Sequence, residues 1–182
     1  MAWLMLRAGI IDAALAGGAE ATITPVGIAA FDRLGAMSRR DGRSSPTPQP
    51  FDRDRDGLVM GEGAAVLALE TESHARSRGA DILAELAGYA ATADAYHVTA
   101  PAEDGTGGAQ AMQLALQSAG IDTSEVSYIN AHGTATPLND LSETRAIKTA
   151  FGPLAYRVPV SSTKSMTGHM MLSLIHISEP TR

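Results

Sequence analysis

Hydrophobic and polar positions along the chain switch between helical and strand-like periods. Residues 1–8 read as the tail of a helix with Gly9 as its stop. The short apolar run 13–16, leading into Gly17 and Gly18, predicts a strand. From 31 to 50 the chain turns polar, and Pro46, Pro48 and Pro50 mark a surface loop. Small apolar residues at 63–69 predict a buried strand. Residues 71–78 predict a short helix, with Glu72 and Arg76 one turn apart and Gly79 at its end. Residues 82–91 read as a further strand.

In the second half, 109–119 predicts a helix whose apolar face is Met112, Ala115, Leu116 and Ala119, ended by Gly120. A strand at 126–131 then delivers Asn130, Ala131, His132 and Gly133 at its end. Asp140 is the expected cap of the next helix, with Glu143 as its capping-box partner. Ile147, Ala150 and Phe151 face inward there, and Gly152-Pro153 stops it. A last strand, 158–162, runs into a Ser/Thr-rich segment with Lys164 and His169. Two strand ends thus carry polar clusters, with room for one helix and one strand between them. In α/β folds, sites gather at the C-terminal ends of neighbouring strands.

Composition adds exclusions. The chain has 182 residues, 45% hydrophobic and 19% charged, which is globular rather than disordered. Aromatic residues make up only 4% while glycine numbers 18, so close backbone packing is expected in place of an aromatic core. The net charge is −6 with no basic stripe, which argues against a nucleic-acid partner. There is no cysteine, hence no disulfide, thiolate zinc site or Cys nucleophile within these residues. The apolar run 1–6 is broken by Arg7 and Asp12 well short of the ~20 residues of a membrane span. It has neither the basic start nor the cleavage site of a signal peptide, so no membrane partner is expected.

Several motifs invite chemistry. Asp52, Asp54 and Asp56 imitate a calcium loop, but position 12 of such a loop falls on Gly63 and two arginines interrupt the acids. A solvated turn with acids and arginines paired is the expected state, and no metal site is expected anywhere. Gly61-Glu62-Gly63 resembles part of a dinucleotide fingerprint, yet close backbone packing explains those glycines better. His74 lies on a polar helix face and reads as solvated. His97 either lines a site or caps a turn. His132 has small neighbours and the hydroxyls of Thr134 and Thr136 nearby; a core histidine satisfied by backbone is the competing reading. Lys164 lies five residues before His169, and a cation beside an imidazole keeps it neutral. A neutral imidazole N–H is a good donor to a developing oxyanion, and two polarise a thioester carbonyl better than one.

The stretches LAGGAEATITP (15–25), FDRDRDGLVMGEGA (51–64), ATADAYHVTAP (91–101), YINAHGTATPLND (128–140) and SSTKSMTGH (161–169) resemble the β-ketoacyl-acyl-carrier-protein synthases, type II, of the thiolase-like condensing enzymes. The resemblance runs from residue 2 to about 171. It implies an α/β, thiolase-like fold layered αβαβα, incomplete at both ends. It divides the chain into the end of an N-terminal ketosynthase half (1–80) and the start of a C-terminal half (81–171), followed by a tail (172–182). The tail, LSLIHISEPTR, contains His176; it reads as translated adapter sequence and as non-native.

The implied reaction is a decarboxylative Claisen condensation of malonyl-acyl carrier protein with an acyl thioester in fatty acid elongation, with no dissociable cofactor. The implied partner is acyl carrier protein, the full-length state a homodimer and the location cytoplasmic. By the same resemblance His132 and His169 are the two active-site histidines. Lys164 supports the charge network around the second, and Thr134 and Thr136 hold the phosphopantetheine arm. The nucleophilic Cys is expected upstream of Met1, so the chain alone is expected to be inactive. Modular polyketide synthases share the His and Lys motifs. Chain-length factors typically lack the histidines, which argues against that alternative.

Overall fold

The computed structural model describes residues 1–41 and 48–171. Pro46 of the expected surface loop, and the tail 172–182 with His176, lie outside the described residues. In chain order the elements are α1 (Ala2–Arg7), β1 (Ala13–Glu20), α2 (Pro25–Arg33), β2 (Gly63–Glu70), α3 (Glu72–Ser77), α4 (Thr106–Ala119), β3 (Ile129–Asn130), α5 (Pro137–Phe151), β4 (Val160–Ser161) and α6 (Lys164–Thr167). The chain divides into two units. One contains residues 1–21 and 62–86; the other contains 22–61 and 87–169.

In the first unit β1 and β2 pair antiparallel over eight residues each, from Ala13 opposite Glu70 to Glu20 opposite Gly63. The strand expected at 13–16 therefore continues through both glycines. The reason is steric: a Cβ on Gly17 would lie 2.9 Å from the Val66 Cα, so only glycine lets the strands approach there. Thr71 ends the ladder and caps α3, its hydroxyl accepting from the His74 N–H at 3.3 Å. Glu72 and Arg76 pair across one turn at 2.7 Å. His74 is not merely solvated: its Nδ1 lies 2.7 Å from Glu70. Glu70 also accepts from the Arg78 guanidinium at 2.9 Å, and these partners, Arg78 foremost, hold its carboxyl down at about 2.

The second unit carries a helix that the hydrophobic pattern did not reveal. At α2, Thr24 accepts from the Gly27 N–H at 3.1 Å and Pro25 occupies the first helical position. Thr-Pro was the available signal. The same pair recurs at α5, where Thr136 is the cap, accepting from the Asn139 N–H at 3.4 Å, and Pro137 follows. The expected cap, Asp140, instead sits one turn inside α5 with its carboxylate buried.

The strand expected at 82–91 is absent; no described segment pairs with it, and a strand exists only by pairing. This stretch is held through single contacts, such as Tyr89 N–H to Ser118 Oγ at 3.5 Å. Further on, Thr92 donates to the Gly107 carbonyl at 2.8 Å. His97 caps a turn, its Nδ1 accepting from the Thr99 and Ala100 amides at 3.2 and 3.1 Å. The strands expected at 126–131 and 158–162 shorten to β3 and β4, which run parallel with Asn130 beside Ser161.

Helices α4 and α5 pack through small residues, as the glycine-rich, aromatic-poor composition implied. Ala109 and Ala146 are both 2% exposed, and a Cβ on Gly108 would meet the Ala146 Cβ at 3.1 Å. The apolar face of α4 lines a cleft with Ala87, Gly88 and Phe151. Gly105 and Gly120 flank α4 with the same left-handed φ of 70°, but in different surroundings. A Cβ on Gly105 would lie 2.7 Å from the Ala146 nitrogen, whereas nothing lies within 4 Å of one on Gly120.

Gly120→Ala should therefore cost only the left-handed penalty, about 1–2 kcal/mol. Gly105→Ala should add an overpacking cost of about 1–3 kcal/mol. Urea denaturation of the two variants checks this; equal midpoints would show that α5 yields freely to α4.

Candidate functional site

The parallel pair β3–β4 brings both polar clusters to one end of a two-stranded sheet. The Ala131 N–H extends the ladder to the Ser161 carbonyl at 2.8 Å, and the next residue is His132. The chain then turns sharply, with Gly133 at φ 43° and Ala135 at φ 64°. Both backbone groups of His132 are fastened. Its N–H donates to Glu143 Oε1 at 2.6 Å, and the Gly133 N–H donates to the other carboxylate oxygen at 2.8 Å. Its carbonyl accepts from the Ser162 hydroxyl at 3.2 Å and from Lys164 Nζ at 2.6 Å. The His132 side chain itself remains exposed.

His169 arrives from the other strand through the four-residue α6 and is 8% exposed. Its N–H donates to the Val59 carbonyl at 2.7 Å, and its carbonyl accepts from the Gly61 N–H at 3.1 Å. This bridge needs glycine on both sides. A Cβ on Gly61 would lie 3.2 Å from the Gly168 Cα, and Gly168 is left-handed at φ 71°. The glycines at 61 and 63 serve close packing, as expected, and Gly61 helps to place a histidine.

The two imidazoles meet edge to face, with ring centroids 5.5 Å apart and planes at 87°. Lys164 Nζ also stands 3.3 Å from His132 Nδ1. The ammonium therefore lies against the first imidazole, which the spacing of Lys164 and His169 did not predict. A protonated amine has no acceptor, so it holds Nδ1 as an acceptor and leaves the ring proton on Nε2. Lys164 is 2% exposed. Desolvation pushes its pKa down, and the charges of Glu143 and Asp140 oppose that shift.

The threonine hydroxyls lie together, 2.8 Å apart. Thr134 is 5% exposed and also accepts from the Thr136 N–H at 3.3 Å. Sequence reasoning missed the role of Glu143, taken for a capping-box partner. Moving the cap to Thr136 places Asp140 and Glu143 on the first two turns of α5, and that Thr-Pro pair was the signal. The arginine of the calcium-like motif was missed as well: Arg55 donates to the carbonyls of Thr136 and Pro137 at 3.2 and 2.8 Å. Among the described residues no three His, Asp or Glu side chains are grouped to hold a metal ion. What the arrangement offers is two neighbouring imidazoles, one exposed with an Nε2–H and one buried, beside a buried cation.

Lys164 should titrate below the ordinary lysine value, and Glu143→Gln should lower it further by removing the stronger of the two opposing charges. With the folded pKa depressed, the unfolded chain binds more protons between the two values. The contribution to stability is then complete above the ordinary value and is lost as pH falls through the folded one. Titration of the lysine side chain by heteronuclear NMR checks this; a pKa unchanged in Glu143→Gln would contradict the assigned cause.

Two family descriptions match consecutive parts of the chain. Residues 1–75 match the family description "Beta-ketoacyl synthase, N-terminal domain", and 83–173 match "Beta-ketoacyl synthase, C-terminal domain". A 3-oxoacyl-[acyl-carrier-protein] synthase 2 from Synechocystis is 51% identical over 170 residues, covering 93% of this chain and 41% of the relative. Its namesake from Staphylococcus aureus is 50% identical, covering 93% of this chain and 42% of that protein. The chain thus spans about two fifths of the length of the curated relatives it matches. Among solved structures, a type II PKS acyl-carrier protein in complex with its ketosynthase superposes with a TM-score of 0.86 at 44% identity, covering 92% of this chain and 41% of that one. A β-ketoacyl synthase from Burkholderia phymatum superposes at 0.85 with 44% identity, over 93% and 40% of the two chains. The chain's fold is therefore the α/β, thiolase-like fold of the ketosynthases.

Proposed function

We propose that this chain, which belongs to the β-ketoacyl synthase family, carries the decarboxylating part of the site of a 3-oxoacyl-[acyl-carrier-protein] synthase in fatty acid elongation. The observation that carries the reading is the pair of imidazoles 5.5 Å apart at the ends of two parallel strands. In this reading malonyl-acyl carrier protein loses CO2, and the electron pair of the broken C–C bond passes into a thioester enolate. His132 and His169 are the catalytic donors to its oxygen. The enolate carbon then attacks an acyl thioester carbonyl, and the thiolate of that thioester leaves. Each well-placed donor is worth about 2.7–4 kcal/mol to such a step. Lys164, counted with the catalytic residues by the resemblance, acts here as a positioning residue that keeps the His132 proton on Nε2.

Thr134 and Thr136 are assigned to the phosphopantetheine arm, which a pair of adjacent hydroxyls suits. The chain has no cysteine, so the covalent acyl step is assigned to none of its residues. The seam between the two ketosynthase halves falls near residue 80, a reading supported by profiles that end at 75 and begin at 83. The partner is acyl carrier protein, the assembly a homodimer and the location cytoplasmic. The solved complex of a ketosynthase with its acyl-carrier protein favours that partner. No described helix is long and apolar enough to cross a membrane. The polyketide structure at 44% identity supports a ketosynthase of that pathway as the second reading; the relatives at 50–51% favour fatty acid elongation.

In the full-length protein, His132→Ala should slow CO2 release from malonyl-acyl carrier protein by about 10²–10³-fold, the effect of losing one oxyanion donor. Acyl transfer to the protein should suffer much less. The two steps can be followed separately on one variant with labelled substrates; equal losses in both would refute a selective role for His132.

A further inference from the structure

We infer that the segment 51–61 is a bracket that sets the separation of the two imidazoles, and that Arg55 is its positioning residue. The inference rests on the reading above for its chemistry, but not for its geometry.

The segment touches both histidines' supports. At its far end Val59 and Gly61 hold His169 through the two backbone hydrogen bonds already described. At its near end Phe51 and Arg55 hold the turn that follows His132. The Phe51 N–H donates to the buried Asp140 carboxylate at 2.7 Å. To do so Phe51 adopts φ 64°, a left-handed conformation that a bulky residue keeps only where its surroundings impose it. Its ring lies against the residue next to His132: Phe51 Cε2 is 2.9 Å from where a Cβ on Gly133 would stand.

Arg55 closes the other end of the same turn. Its guanidinium donates from Nε to the Thr136 carbonyl at 3.2 Å and from Nη2 to the Pro137 carbonyl at 2.8 Å. Nη1 donates at 2.9 Å to the carbonyl of Asp52, on its own loop, and Nε stands 3.6 Å from Asp140. Between the two fastenings lies Ala135, fully buried and left-handed at φ 64°. A turn with two left-handed residues relaxes unless it is held. The calcium-like alternation thus has a different use. Arg55 is 18% exposed and points into the fold, while Arg53, next but one, is 93% exposed and meets only Asp54 among the contacts described.

The test compares Arg55→Ala, Arg55→Lys and Arg53→Ala in the full-length protein. Arg55→Ala should lower kcat for CO2 release by about 10–100-fold, the scale of a small misplacement of reacting groups. Acyl transfer should fall less than CO2 release, since it does not use the separation of the imidazoles. Arg55→Lys should recover only part, because a point charge cannot span two carbonyls as the guanidinium fork does. Arg53→Ala should change nothing. A second readout is free of the reaction: the proton Overhauser contact between the His132 and His169 rings should weaken in Arg55→Ala. Retention of that contact at full intensity, or full recovery by lysine, overturns the bracket. If His132→Ala leaves CO2 release untouched, the reaction reading fails, and the ring contact still decides the bracket.

Discussion

Lys164 holds its ammonium where only 2% of the residue meets solvent, and taking a charge out of water costs several kcal/mol unless hydrogen bonds and opposite charge meet it. The His132 carbonyl meets it at 2.6 Å, and Glu143 and Asp140 act on it through their charges. Both carboxylates stand on α5, so the site depends on where that helix begins. Thr136 and Pro137 fix the start. One turn in either direction would carry Glu143 away from the amides of His132 and Gly133, leaving two donors unmet and a buried cation without its nearer charge. Cation, carboxylate and histidine backbone are therefore one constraint.

The close packing that this constraint needs comes from small residues. Gly61 against Gly168 and Gly133 against the Phe51 ring admit backbone where a side chain would collide. Each brings a distant segment against a residue adjoining a histidine. In a chain with 4% aromatic residues, Phe51 is an exception spent at the site rather than on a general core. The glycines near the histidines are thus parts of the active geometry, whereas Gly120, with open space around it, only ends a helix.

The elements with strong local signals were legible in the sequence. Gly79 and Gly120 mark helix ends, His132 lies just past β3, and His169 follows the neighbouring β4 through α6. The failures have physical causes. Asp140 resembles a cap because Asp and Glu three apart suit one, but Thr136, four residues earlier and followed by Pro137, suits a helix start better. Residues 82–91 have the composition of a strand, yet pairing is a property of two segments and cannot be read from one. The partnership of Lys164 with His132 was hidden because it spans two strands, whereas Lys164 and His169 are close in sequence. Arg55 stands in an alternation of acids and arginines that locally suits a solvated turn, while its partners lie far along the chain. Contacts spanning more than eighty residues leave no periodicity behind.

A donor that stabilises developing charge is useful only if it need not move to do so. In the proposed reading the two histidines meet that demand by different means. His169 is buried, its backbone is held between Val59 and Gly61, and its ring meets the His132 ring edge to face. His132 is open to solvent, so packing cannot hold it. Its backbone is fastened through both the N–H and the carbonyl, Lys164 Nζ stands 3.3 Å from its ring at Nδ1, and the turn after it is clamped. His132 presents its ring to solvent, and His169 lies beside it with the ring centroids 5.5 Å apart. The segment 51–61 touches the supports of both, so the distance between an open group and a closed one is set by a part of the chain that carries neither.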